Sequence, residues 1–290
     1  MPEGDALYRF AERIRPALEG QVIRGARSHG PGPVPQVQRI VGATCTSVRA
    51  QGKNMLISFD NGLALRGHLR MYGTWHVYQP GKEWDRSESQ VRLVLETDVA
   101  VVVNFSAPVI ELIEERALAL HAPLAQLGPN LLDDAFDAAE ALTRLRAPSL
   151  ALATIGDALM DQRVMAGIGN IWKHETLFHC GINPWRQVGD LDDDTLGALI
   201  EKARALLCAS VGKPNTMNLA RRPTMFVYGR AGQPCRRCHT RIRSGPQGID
   251  IRHTAWCPSC QRVAEGQPDP PVRVRTPAPR PSPWGANPRM

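Results

Sequence analysis

Four of the seven cysteines stand as two pairs, Cys235-x-x-Cys238 and Cys257-x-x-Cys260, with eighteen residues between the pairs. Each pair can supply two thiolates at the bite a tetrahedral site needs, and four soft sulfurs select zinc. In a reducing compartment this spacing indicates a metal site, not disulfides. Four sulfurs close the coordination sphere, so one structural Zn2+ is expected, holding together hairpins too small to build a core. His239 and His253 lie near the ligands but are not needed as further partners. The remaining thiols, Cys45, Cys180 and Cys208, sit in apolar segments and are expected to be buried.

The second candidate is the opening Met1-Pro2-Glu3-Gly4-Asp5. Cytoplasmic processing removes Met before small residues such as Pro, which would leave a secondary amine beside a carboxylate. An amine can attack a sugar's anomeric carbon and form a Schiff base, which a hydroxyl cannot. The same residues also admit a structural reading, in which the terminus frays and the acids favour the start of a helix.

Charge is concentrated near the cysteines. Between Arg221 and Arg262 there are nine arginines and one acid, Asp250, in a chain of net charge +7 and pI about 9.3. That pattern suits phosphate contacts and a polyanionic partner, or else a solvated basic face. Arg252, just before the second cysteine pair, is the arginine the metal module would present.

The elements that must position these groups fall into two halves. Leu7, Phe10, Ala11, Ile14 and Leu18 repeat at helical spacing, with Asp5 as an expected N-cap and Gly20 as a stop. Short β-rich runs follow: Met55–Phe59, Leu63–Leu69, Thr74–Tyr78, Val91–Glu96 and Ala100–Phe105, the first two joined by an Asp60-Asn61-Gly62 turn. The pattern predicts a β-sandwich or barrel behind an N-terminal helix. After a linker at 127–134 the chain turns helical over 135–145, 153–165, 171–180 and 193–210, with Asp192 an expected cap for the last. The helices around Gly167-Ile168-Gly169-Asn170 resemble a helix–turn–helix element. Asn170 is placed either to cap the next helix or to contact a phosphate there. The last 27 residues hold eight prolines and are expected to be a disordered basic tail. The acidic start lacks the features of a secretory signal and no run is long enough to span a membrane, so a cytoplasmic protein is expected.

Taken in order, the opening Met-Pro-Glu-Gly-Asp, Gly52-Lys53, Gly167-Ile-Gly-Asn170-Ile and the four-cysteine hairpin resemble the formamidopyrimidine-DNA glycosylase/endonuclease VIII family over roughly residues 2–262. The resemblance implies an α+β fold: an N-terminal helix and β-sandwich domain, and a helical helix–two-turn–helix domain with a four-cysteine zinc-finger hairpin. The boundaries expected are 1–125 for the catalytic sandwich, 126–150 for the hinge and first helix, 151–225 for the DNA-binding helices, 226–262 for the zinc finger and 263–290 for the tail.

The resemblance also implies roles. Pro2 would be the nucleophile and Glu3 the acid/base beside it. Lys53 would act in β-elimination, and Arg252 would grip the lesion phosphates in δ-elimination. Asn170 would contact phosphate. His68-Leu-Arg70-Met71-Tyr72-Gly resembles the void-filling loop, so Arg70, Met71 and Tyr72 are candidate wedges, with strand-end core residues the other reading. The stretch Asn104–Leu112, with Tyr72-Gly-Thr-Trp75 and Val227-Tyr-Gly-Arg-Ala231, is closer to endonuclease VIII than to the oxidised-guanine branch. The implied function is a bifunctional glycosylase/AP lyase of base excision repair favouring oxidised pyrimidines. Its partner would be damaged double-stranded DNA, with single-stranded or bubble DNA also open. A monomer is expected, associated with a bacterial nucleoid and with no membrane partner. Two alternatives stay open: an oxidised-guanine glycosylase, and an inactive protein that only binds damaged DNA.

Overall fold

The computed structural model describes residues 2–30, 34–212, 225–263, 265–266 and 270–272. Most of the expected disordered tail falls outside the described residues, as do Arg221 and Arg222.

The chain opens with α1 (Gly4–Leu18), whose buried Leu7, Phe10, Ala11, Ile14 and Leu18 form one apolar stripe. Glu3, not Asp5, is the residue at the N-cap position. Asp5 lies inside the first turn, where its carboxylate accepts from Arg9 and from the Ser210 hydroxyl. At the other end Gly20 adopts φ +76°, the left-handed conformation that stops a helix.

Among the described residues eight strands follow: β1 (Gly25–Ser28), β2 (Cys45–Gln51), β3 (Asn54–Phe59), β4 (Leu63–His68), β5 (Thr74–Tyr78), β6 (Val91–Glu96), β7 (Val101–Phe105) and β8 (Val109–Glu114). They form two four-stranded sheets of order β2-β3-β4-β8 and β1-β6-β7-β5. Every pairing is antiparallel. The two sheets and the stripe of α1 share one core that includes Met55, Ile57, Leu65, Trp75, Leu93 and Val102. Two tight turns set the register of the first sheet. Gly52-Lys53 joins β2 to β3 with Gly52 at φ +57°, the geometry of a type II′ hairpin. Asp60-Asn61-Gly62 joins β3 to β4 with Gly62 at φ +77°, as the turn residues predict.

The second half contains α2 (Ala122–Ala125), α3 (Ala138–Leu145), α4 (Ile155–Ala158), α5 (Asn170–His179) and α6 (Asp193–Val211). Asp192 caps α6, accepting from the Thr195 N–H as expected. A separate core gathers Leu145, Ile155, Ile168, Trp172, Leu177, Leu199, Ala203 and Leu207.

The expected helix over 153–165 is one short turn only. Its continuation gives its backbone groups to the linker: Ala166 donates to the Pro129 carbonyl, Leu131 donates to the Ala166 carbonyl, and Gly128 donates to the Gln162 carbonyl. A helix there would leave those linker groups unpaired. Cys45 is buried, but Cys180 is only half-buried and Cys208 is exposed. The buried positions of α6 run Leu196, Leu199, Ile200, Ala203, Leu207 and Ser210, and Cys208 falls off that stripe.

The last two strands among the described residues, β9 (Arg243–Gln247) and β10 (Arg252–Trp256), form a hairpin that packs beside the four cysteines.

Candidate active site and nucleic-acid interface

The two halves meet around Glu3. Pro2, half-buried, leads directly into α1. The Glu3 backbone carbonyl accepts from Ala6 and Leu7 and so starts that helix. Its side chain turns the other way and caps a different helix. Oε1 accepts from the Ile171 N–H at 2.7 Å and Oε2 from the Trp172 N–H at 3.2 Å. These are two of the free donors at the start of α5, where the helix dipole also favours an anion.

Three glycines make this contact possible. Gly4 donates to the Gly167 carbonyl at 2.8 Å, and a Cβ on Gly4 would lie 2.7 Å from Gly167 Cα. A Cβ on Gly169 would collide with the Glu3 carboxylate. Gly167 itself adopts φ +107°, which L side chains rarely reach. The Gly167-Ile168-Gly169 loop is therefore the seat of the N-terminal segment, a role that only the folded chain reveals. Gln162 braces the loop, donating to the Ile168 carbonyl and accepting from the Gly167 N–H.

Glu3 is 2% exposed, and burial pushes its carboxyl up to about 7 although Lys53 and the two amides favour the charged form. Lys53, at the tip of the β2–β3 hairpin, is likewise buried. Burial draws its ammonium down to about 8, with Glu3 opposing and Arg252 reinforcing the shift. The fold thus pairs the carboxyl that follows Pro2 with a buried amine, burial pushing the first up to about 7 and the second down to about 8.

Asn170, expected either to cap the helix or to contact a phosphate, is the first residue of α5, with Gly169 at the N-cap position. Its Nδ2 reaches the His253 carbonyl at 3.4 Å, and its Oδ1 has no hydrogen-bond partner. One turn on, His174 links α5 to the hairpin. Its Nε2 accepts from the Ala255 N–H at 2.8 Å and its Nδ1 contacts the Asn170 carbonyl. That pair of contacts requires the neutral ring with Nδ1 protonated, and burial accordingly holds His174 down at about 3. Lys173 spans the same seam, donating to Thr254 Oγ1 at 2.7 Å and Gln247 Oε1 at 3.2 Å. The Glu175 carboxylate accepts from the backbone N–H groups of Phe226, Val227 and Tyr228. Three consecutive residues of α5 therefore dock the cysteine module. None of them was identifiable from the sequence, because spacing does not mark a polar side chain that is buried against a distant strand. Through this docking Arg252, the first residue of β10, is brought close enough to Lys53 and Lys173 to lower both.

Arg70, Met71 and Tyr72 lie in the turn between β4 and β5. Arg70 has φ +48°, Met71 is 57% exposed and Tyr72 80% exposed. They are not strand-end core residues. The pairing of Asn54 with His68 puts this turn at the same end of the sheet as Lys53.

The sulfurs of Cys235, Cys238, Cys257 and Cys260 all lie within 4.8 Å of one another, with Cys238 3.4 Å from Cys257 and from Cys260 and Cys235 4.0 Å from Cys260. Four thiolates about 2.3 Å from one zinc ion would be about 3.8 Å apart. The cluster has the dimensions to hold a metal ion. The knuckles are pre-shaped by backbone bonds, the Arg237 N–H to Cys235 Sγ and the His239 N–H to the Cys235 carbonyl. Gln261 ties the second pair to the helices, accepting from the Cys257 N–H and donating to the Ile182 carbonyl.

Comparison with known proteins agrees with this geometry. Residues 1–108 match the formamidopyrimidine-DNA glycosylase N-terminal domain, and residues 127–219 match the formamidopyrimidine-DNA glycosylase H2TH domain. The chain is 40% identical over 271 residues to a probable endonuclease 8 2 of Streptomyces coelicolor, covering 90% of this chain and 94% of that protein. It is 34% identical to the DNA-(apurinic or apyrimidinic site) lyase Nei2 of Mycolicibacterium smegmatis, covering 91% and 100%. It is also 36% identical to a formamidopyrimidine-DNA glycosylase of Methylococcus capsulatus, covering 90% and 100%. The fold matches the Lactococcus lactis formamidopyrimidine-DNA glycosylase bound to DNA containing an abasic site, with a TM-score of 0.78 at 20% identity over 90% of this chain and all of that one. With both family domains matched in order and relatives alike along nearly their whole length, the chain belongs to the formamidopyrimidine-DNA glycosylase/endonuclease VIII family.

Proposed function

We propose that the protein is a bifunctional DNA glycosylase and AP lyase of base excision repair, acting on oxidised pyrimidines and abasic sites in damaged duplex DNA. The observation that carries this reading is the buried Glu3 carboxyl, held at the start of α5 beside Pro2 and poised near neutrality. General acid–base chemistry works best when the group's affinity for a proton lies near the working pH.

With Met1 removed, the Pro2 amine attacks C1′ of the extruded nucleotide and gives up its proton as the bond from C1′ to the base breaks. The C1′–O4′ bond then opens, with Glu3 supplying the proton that O4′ takes, and the nitrogen lone pair forms the double bond to C1′. The resulting iminium acidifies the C2′ proton. Loss of that proton, with Lys53 near enough to handle it, expels the 3′ phosphate; a second elimination expels the 5′ phosphate. Arg252 and Asn170 hold the flanking phosphates, and Arg70, Met71 and Tyr72 fill the gap left by the flipped nucleotide. Extrusion costs roughly a few kcal/mol, least for damaged pairs. The four cysteines hold one structural Zn2+, which keeps Arg252 aligned and takes no part in the chemistry.

Only three residues, Ser106, Ala107 and Pro108, join β7 to β8. The connection lies within Asn104–Leu112, the stretch that is closer to endonuclease VIII and holds no arginine, which supports the pyrimidine branch. No described helix is long and apolar enough to cross a membrane. A monomer working in the bacterial cytoplasm at the nucleoid fits the DNA partner. The boundaries at 125, 150, 225 and 262 remain this reading's domain limits.

Borohydride trapping on duplexes with an abasic site or an oxidised pyrimidine tests the proposal. A covalent protein–DNA band is expected for the wild type and not for Pro2→Gly. Tight binding with no band on any lesion would leave a damage-binding protein without the lyase step.

A further inference from the structure

The stretch from Arg221 to Arg262 carries nine arginines and a single acid, Asp250, which no step above uses. The structure puts that acid on the one arginine assigned to the lesion phosphates. Asp250 Oδ2 accepts from Arg252 Nη2 at 2.8 Å and from Arg252 Nε at 3.2 Å. The Nε–Nη2 edge of a guanidinium is one of the two forks that grip phosphate in a bidentate fashion. The turn between β9 and β10 holds the two residues together. Gly248 and Ile251 both adopt left-handed conformations, at φ +73° and +49°, and the Ile251 N–H closes the turn on the Gly248 carbonyl at 3.0 Å. A β-branched residue rarely takes that conformation, and here it lies directly between the acid and the arginine. Ile249 and Ile251 point into solvent, so no core packing dictates the turn.

We propose that Asp250 is a clasp on Arg252, occupying the guanidinium edge that DNA must take, so that a phosphate engages the arginine only by displacing the carboxylate. The proposal rests on the reading of Arg252 as a phosphate-binding residue. An acid facing a nucleic acid is repelled by it, so its retention against the arginine makes engagement conditional on a well-placed phosphate. Since the pair is partly solvated, its competition is modest, equivalent to about two- to five-fold in affinity.

A double-mutant cycle separates the clasp from a simple charge effect. Binding to a duplex with a non-cleavable abasic analogue would be measured by fluorescence anisotropy at low salt for wild type, Asp250→Asn, Arg252→Gln and the double variant, with zinc content as the check on folding. The expected result is binding about two- to five-fold tighter for Asp250→Asn, and no such gain when Arg252 is already Gln. An equal gain in both backgrounds would mean that Asp250 acts only through its charge, and weaker or unchanged binding that it orients Arg252; each overturns the clasp. Should Arg252→Gln alone bind like wild type, the role given to Arg252 fails, and the clasp with it. Asp250→Ala serves in the same cycle if the Asn variant loses zinc.

Discussion

Glu3 and Ile171 stand 168 positions apart, yet the carboxylate of one accepts the backbone N–H of the other at 2.7 Å. This bond joins the start of α1, in the sandwich half, to the start of α5, in the helical half. A second tie lies along the same helix: Arg9 donates to the Ser210 carbonyl at the end of α6, and Asp5 accepts from the Ser210 hydroxyl. The N-terminal helix thus does two jobs. Its apolar stripe completes the sandwich core, and its first turn sets the relation between the halves on which the site depends.

Gly169→Ala should unseat Glu3, because a methyl group there collides with the carboxylate. Displacing a reacting group by about 1 Å can cost on the order of 10²-fold in rate. Single-turnover excision should fall by about that factor while duplex affinity changes little. Excision at the wild-type rate would show that Glu3 can move without consequence.

Glu3 also makes a prediction about pH. Its folded carboxyl lies near 7, above the ordinary value of about 4.5, so between those values the folded state binds the extra proton. The contribution of Glu3 to stability is therefore fully present below about 4.5 and is lost as pH rises through 7. The stability of Glu3→Gln relative to wild type, from urea unfolding, should improve between pH 5 and pH 8. At about 1.4 kcal/mol per pKa unit the change should be on the order of 2 kcal/mol. A flat difference would place Glu3 in a more solvated setting.

Cys238→Ser removes one of four sulfurs from a cluster with little core of its own. Zinc content by native mass spectrometry should fall, and with it the affinity for DNA, as the hairpin carrying Arg252 loosens. Full zinc occupancy in that variant would contradict the ligand assignment.

Met71 and Tyr72 are exposed, so truncating either to Ala should shift stability by no more than about 0.5 kcal/mol. Excision from duplex DNA should nonetheless drop, and drop less on single-stranded substrates, where no helix has to be propped open. Equal losses on both substrates would argue against a wedge.

What the sequence by itself determined is local or pairwise: the apolar stripe of α1, the strands Thr74–Tyr78 and Val91–Glu96, the Asp60-Asn61-Gly62 turn, the Asp192 cap and the spacing of the four cysteines. Each follows from periodicity, a turn residue's φ, or ligand bite, which neighbours along the chain suffice to specify. Only the tertiary structure decided the rest. The helix expected over 153–165 was lost to backbone bonds with the linker at 127–131, which periodicity cannot register. Asn170 gave up the N-cap position to Gly169, because the Glu3 carboxylate already fills the space in front of α5. The protonation of Glu3 and Lys53 is set by burial and by each other's charge, and both arise where two halves of the chain close together. Composition can name a carboxyl and an amine, but their chemistry depends on the solvent they have lost, which only the folded arrangement removes.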